Sequence, residues 1–141
     1  MKTLIGLFTA LLMSAGLLGV AAQPATAACS SYSGCVKTST QASAPSKVAK
    51  GGKATVCGTV KAVASNATPR GSLRFTVTRQ GGGYSFGKTI PYGGGKMCVV
   101  TGKLTKTGSY SVRVAFVPKN GSIFNPSSDS DGFKVKKKKR R

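Results

Sequence analysis

Gly71-Ser-Leu-Arg-Phe-Thr-Val-Thr-Arg79 decides the fold. Leu73, Phe75 and Val77 alternate with Ser72, Arg74, Thr76 and Thr78, a period of two that turns apolar side chains to one face and polar ones to the other. That is a half-buried strand. The alternation recurs in Tyr110, Val112, Val114 and Phe116 against Ser111, Arg113 and Ala115, and again in Phe133 and Val135 against Lys134 and Lys136. Upstream, 53–60 sets Ala54, Val56 and Val60 on one face and Thr55, Cys57 and Thr59 on the other. Two further runs cover 84–92 and 97–101; Pro91 suits the first to a sheet edge, because proline has no ladder donor. Glycine-rich turns such as Gln80-Gly-Gly-Gly83 separate the runs, and no long stretch of 29–141 shows helical periodicity. The expectation is an all-β sandwich of two sheets and about seven strands, spanning 46–135.

What precedes this domain reads as an export leader. Lys2 is followed by an apolar run over 4–22, a helix-breaking Gln23-Pro24 and the small-residue site Ala25-Thr26-Ala27. The leader is expected to span 1–28 and to be cleaved after Ala27 or Ala28. An uncleaved anchor and a lipidated Cys29 are the competing readings; Thr26 stands where a lipidation site wants an apolar residue. Residues 29–45, rich in Ser, Thr, Ala and Pro, read as a cysteine-containing arm and linker. The expected location is secreted, extracellular or associated with the cell wall.

Charge narrows the function classes. The 22 lysines and arginines face 2 acids and no histidine, for a formal charge of +20, and loss of Lys2 with the leader leaves 21 − 2 = +19. Solubility of a small domain needs only about 2 to 8 net charges, so a dense polyanion is the expected partner. Without His, Glu or Trp, the chain lacks the usual general acids, bases and triad orienters, and no enzymatic activity, small-molecule substrate, cofactor or metal is expected. Asp129 and Asp131 lie two apart in what reads as a serine-rich loop, and are expected to act as local turn-makers.

Thr68-Pro-Arg-Gly71-Ser-Leu-Arg-Phe75, Leu104 with Gly108-Ser-Tyr110-Ser-Val112, and Lys119-Asn-Gly121 with Phe124 and Pro126-Ser127 follow one another in a recognisable order. Over about 45–135 the chain resembles the bacterial immunoglobulin-like repeat domain of surface and secreted proteins. The resemblance implies a seven-strand sandwich serving as a spacer, adhesion or carbohydrate-binding module. It also implies that Tyr110 occupies a tyrosine-corner position, its hydroxyl fixing the preceding loop. The chain departs from the family in carrying a single copy, in its basicity and in Asn120-Gly121, where the family has Gly-Asp.

Four cysteines in an exported chain of this size imply two disulfides. Of the three pairings, Cys29 with Cys35 and Cys57 with Cys98 is favoured: the first closes a tight loop and the second joins strands that neighbour each other in such a sandwich. The intervening spacings do not match the paired short spacings of structural zinc sites.

Gly82-Gly-Tyr-Ser-Phe-Gly87-Lys88-Thr89 satisfies the phosphate-loop pattern, but Ile90-Pro91-Tyr92 cannot start the helix that such a loop requires, and a glycine-rich hairpin is expected instead. The basic run Lys134, Lys136, Lys137, Lys138, Lys139, Arg140 and Arg141 reads as a polyanion-binding tail over 136–141, joined by Arg74 and Arg113 on the outward face of the same sheet. The expected ligand is an anionic cell-wall polymer or membrane headgroups bound by a monomer. Secreted non-specific nucleic-acid binding or charge-driven antimicrobial action is the alternative, with Tyr84, Phe86 and Tyr92 as residues able to stack bases.

Overall fold

The computed structural model describes residues 34–138. The leader, Cys29 and its pairing with Cys35, and tail residues Lys139, Arg140 and Arg141 lie outside the described residues. Eight strands run through the described part: β1 Thr38–Ser43, β2 Lys47–Ala49, β3 Thr55–Ala62, β4 Gly71–Arg79, β5 Ser85–Tyr92, β6 Lys96–Val100, β7 Gly108–Pro118 and β8 Ser127–Lys136. They form a β-sandwich. One sheet has three strands in the order β1-β3-β6, and the other has five in the order β2-β8-β7-β4-β5.

The period-two runs account for the interior. Leu73, Phe75 and Val77 of β4 and Val112, Val114 and Phe116 of β7 are all buried, with Val56 and Val60 of β3 and Phe133 and Val135 of β8 in the same cluster. In register, Phe75 faces Val114 and Tyr110 faces Phe133, so neighbouring strands offer large side chains to one interior. Gly58 of β3 lies directly above: a Cβ there would come within 2.6 Å of a Val114 methyl and 3.5 Å of the Phe75 ring. The glycine makes the close approach of the sheets possible.

Tyr92 fastens the two sheets at one end. Its buried hydroxyl accepts from the Val60 amide at 2.9 Å and donates to the Gly95 carbonyl at 2.9 Å, supplying Val60 with a partner where β6 no longer runs beside β3. The edge strand β5 carries both Pro91 and an exposed Lys88 opposite Phe75, features that discourage further strand addition. Gly87-Lys88-Thr89 sits within this strand.

Cys57 and Cys98 face each other across β3 and β6 and are disulfide-bonded, with Cα atoms 4.0 Å apart. Both point to the outer face, on the opposite side of their strands from Val56 and Val99.

Two stretches depart from the sequence reading. The linker expected over 29–45 contains β1, which pairs along its whole length with β3. Its residues, Thr-Ser-Thr-Gln-Ala-Ser, hold no large hydrophobe because an edge strand beside a polar neighbour needs only small inward side chains, here Thr40 and Ala42. The serine-rich 127–132 belongs to β8 and is not a loop. Its inward positions Ser127, Asp129 and Asp131 meet β1 through hydrogen bonds, so no apolar alternation marks it as a strand.

Candidate polyanion interface

The fate of the two acids sets the electrostatics. Pairing with β3 engages alternate residues of β1, leaving the amides of Ala42 and of Ala44 just beyond it directed to the open edge. Asp129 accepts from the Ala42 amide at 2.8 Å and Asp131 from the Ala44 amide at 2.8 Å. Asp131 takes the Gly132 amide as well, at 2.7 Å. Nearby, the Thr38 hydroxyl donates to the Asn125 carbonyl at 2.7 Å, and the Thr40 and Ser127 hydroxyls bond at 2.6 Å. The aspartates therefore clasp one sheet to the other, which corrects their reading as turn-makers.

Hydrogen bonds from the Ala42 and then the Ser130 amide hold the Asp129 carboxyl below the usual carboxylate range, against a smaller opposing effect of burial. A depressed folded-state pKa adds stability above the ordinary carboxylate range, and that stability is lost as pH falls through the lowered value. Chemical denaturation at stepped acid pH is expected to show this decline. Asp129→Asn, which keeps an acceptor for Ala42 but cannot ionise, should flatten it; an unchanged acid limb would count against the clasp.

With both carboxylates turned to β1, the outer face of the five-stranded sheet carries only cations among its charged groups: Lys47, Arg74, Arg113, Lys134 and Lys136, all exposed. The register spreads most of them. Arg74 stands opposite Ala115, and Arg113 lies between Thr76 and Ser130, so the two arginines are diagonal neighbours with no direct cross-strand opposition. Arg113 reaches the Ser128 hydroxyl at 3.4 Å. The repulsive pair that does face across strands is Lys47 with Lys134, joining β2 to β8.

A denser concentration lies at one end of the sandwich, where four segments are tied together. The Lys50 amide donates to the Lys136 carbonyl at 2.8 Å and the Gly51 amide to the Leu104 carbonyl at 2.8 Å, while the Gln80 amide reaches the Ser109 carbonyl at 3.0 Å. The Tyr110 hydroxyl donates to the Lys106 carbonyl at 2.7 Å, holding the loop before β7; burial raises its pKa above the ordinary phenol value. These bonds bring Lys47, Lys50 and Lys53 together with Arg79, with Lys103 and Lys106, and with Lys134, Lys136, Lys137 and Lys138. At the opposite end stand Lys37, Lys61, Arg70, Lys96 and Lys119.

Of the basic residues singled out from sequence, Lys134, Lys136, Lys137 and Lys138 join this end, and Arg74 and Arg113 lie apart on the sheet face. Lys47, Lys50, Lys53, Arg79, Lys103 and Lys106 were not singled out. Their signal was available: each lies in or beside a turn, Lys50, Lys53 and Lys103 next to glycines, and alternate turns of a largely antiparallel sandwich return to the same end. The three aromatic residues proposed for base stacking are not free to stack. Tyr92 is buried, Phe86 packs on the core, and the Tyr84 ring meets Tyr110 edge-on at 5.5 Å with its hydroxyl buried.

Among the described residues, no cluster of three or more His, Cys, Asp or Glu is placed to hold a metal ion, and no helix is long and apolar enough to cross a membrane. Compared with known proteins, the chain matches no protein-family model and no curated protein.

Proposed function

We propose that this chain is a secreted, non-enzymatic, immunoglobulin-like module that is retained at the cell envelope by binding anionic wall polymers or lipid headgroups through its basic surface. One observation carries the reading: both acids are engaged by backbone amides in and just beyond β1, while ten lysines and arginines gather at one end of the sandwich. The immunoglobulin-like assignment draws support from the two-sheet packing, antiparallel apart from the β2–β8 pair, and from the Tyr110 hydroxyl bonded four residues back at Lys106. The leader reading supports export, and the Cys57–Cys98 disulfide is compatible with an oxidising compartment. The residue inventory speaks against catalysis, since the carboxylates are committed to structure and no histidine exists.

Retention of the purified mature chain on isolated wall fragments and on anionic liposomes, measured against salt, tests this. Retention is expected to fall steeply with ionic strength, because exposed charges are screened beyond a Debye length of about 8 Å at physiological salt. Removal of 136–141 should weaken it further. Retention indifferent to both salt and tail removal would refute the reading.

A further inference from the structure

We propose that the loop end of the sandwich is a site for a flexible, linear phosphate-bearing polymer, with the Arg79 guanidinium as its fixed anchor; this rests on the polyanion reading and narrows it to one place and one ligand class. Arg79 differs from the other cations at this end in being half-buried and tied down. Its Nε donates to the Thr107 carbonyl at 2.9 Å and its Nη1 to the Gly82 carbonyl at 3.0 Å. Three of the five N–H donors of the fork are left for a ligand, already oriented. A planar fork held in place matches phosphate oxygens at little entropic cost, which a free lysine cannot do.

The surroundings keep the fork accessible. Gly81, Gly82 and Gly83 all have positive φ, at 84°, 79° and 76°, so the hairpin turns without side chains over the guanidinium. The Lys106 ammonium lies against Gly83, within 2.5 Å of where a Cβ would stand, which sets it beside the same turn. Gly108 leaves the other side clear, since a Cβ there would approach Arg79 Nε at 3.4 Å.

The distribution of charge selects a flexible chain. Lys47, Lys134 and Lys136 lie on the outer face of the five-stranded sheet, whereas Lys53 and Lys103 flank Ala54 and Leu104, buried where loops cross between the layers. A bilayer or a duplex presents its phosphates on a fixed surface and meets one side of such an end; a flexible chain follows the cations around it. The apolar surface argues in the same direction. Val63, Val117 and Ile123 are exposed towards the opposite end, and at this end, among the described residues, a lone Val100, on the outer face of the three-stranded sheet, is the exposed large apolar side chain, too little surface for insertion between lipids. With its hydroxyl buried and its ring set edge-on against Tyr110, partly buried Tyr84 makes a poor platform for bases. Recognition falls on the phosphates themselves.

Long-chain inorganic polyphosphate is the test probe, with duplex DNA and vesicles of equal parts phosphatidylcholine and phosphatidylserine alongside, all titrated against the mature chain over a range of salt. Arg79→Gln/Lys106→Gln is expected to weaken polyphosphate binding about tenfold and to flatten the plot of log affinity against log salt by about 1.4, at ~0.7 per lost contact. Arg74→Gln/Arg113→Gln, which removes the same charge from the sheet face, should change affinity by less than about twofold. Arg79→Lys should weaken binding severalfold although the charge is kept. Because Arg79 also holds its loop, Lys103→Gln/Lys106→Gln provides a second variant without that burden and should lose more than the sheet-face pair. Equal losses in end and face variants, or tighter binding per charge to duplex or vesicles, would overturn this site while leaving polyanion binding standing. Failure of the unmodified chain to bind any of the three probes at low salt would overturn both.

Discussion

Replacing Cys57 and Cys98 together by serine is expected to lower the unfolding free energy by about 4 kcal/mol, the chain-entropy value for a loop of this length. The pair spans 41 residues, which contain all of β4 and β5, so cutting it frees a long segment of the unfolded chain. Small domains have about 5–15 kcal/mol in hand, and a loss of this size takes a large share. Little packing should be lost with it. The sulfurs lie on the outer face of the three-stranded sheet, away from the cluster around Phe75, so the native fold should persist in the variant with a lower midpoint. Urea unfolding with the denaturant slope compared between the two forms is the measurement. An unchanged midpoint would mean that the bridge does not constrain the unfolded chain.

Phe75→Ala is expected to cost about 3–5 kcal/mol, since the ring is fully buried between β7 and β3. Its position opposite Gly58 makes the effect conditional. Gly58→Ala alone should destabilise by about 1–3 kcal/mol, because the new methyl would press on Val114 and approach Leu73 and Phe75. In the Phe75→Ala background the same methyl enters space that the ring has vacated, so the double variant should lose less than the sum of the two single losses. A double-mutant cycle in urea checks this. Strict additivity would place Gly58 and Phe75 apart and contradict the packing of the two sheets.

How much of this was legible in the sequence depended on whether a strand faced the core on one side and water on the other. β4 and β7 do, and Leu73, Phe75, Val77 and Val112, Val114, Phe116 mark them by alternation alone. β1 and the first half of β8 do not. They face each other across the open edge of the smaller sheet, where Thr38, Thr40, Ser127, Asp129 and Asp131 replace packing with hydrogen bonds, so both segments read as linker or loop. Three-residue β2 is too short to show a period and forms because Lys47, Val48 and Ala49 lie parallel to Lys134, Val135 and Lys136. The candidate site was legible only as a basic tail and a sheet face. Its larger part comes from lysines in separate turns, and their common location follows from strand directions that no local pattern encodes.

The chain's basicity thus has a geometry: the acids are drawn to one seam, and the cations gather where four loops meet. Titration of the isotope-labelled mature chain with long-chain polyphosphate, followed by amide chemical shifts, is the measurement that locates the bound polymer. Shifts are expected to concentrate in 47–54, 79–84, 101–108 and 134–138, with Lys37, Lys61, Arg70, Lys96 and Lys119 nearly unmoved. Shifts centred on those five residues, or spread evenly over the surface, would show that the basic end is not the binding site.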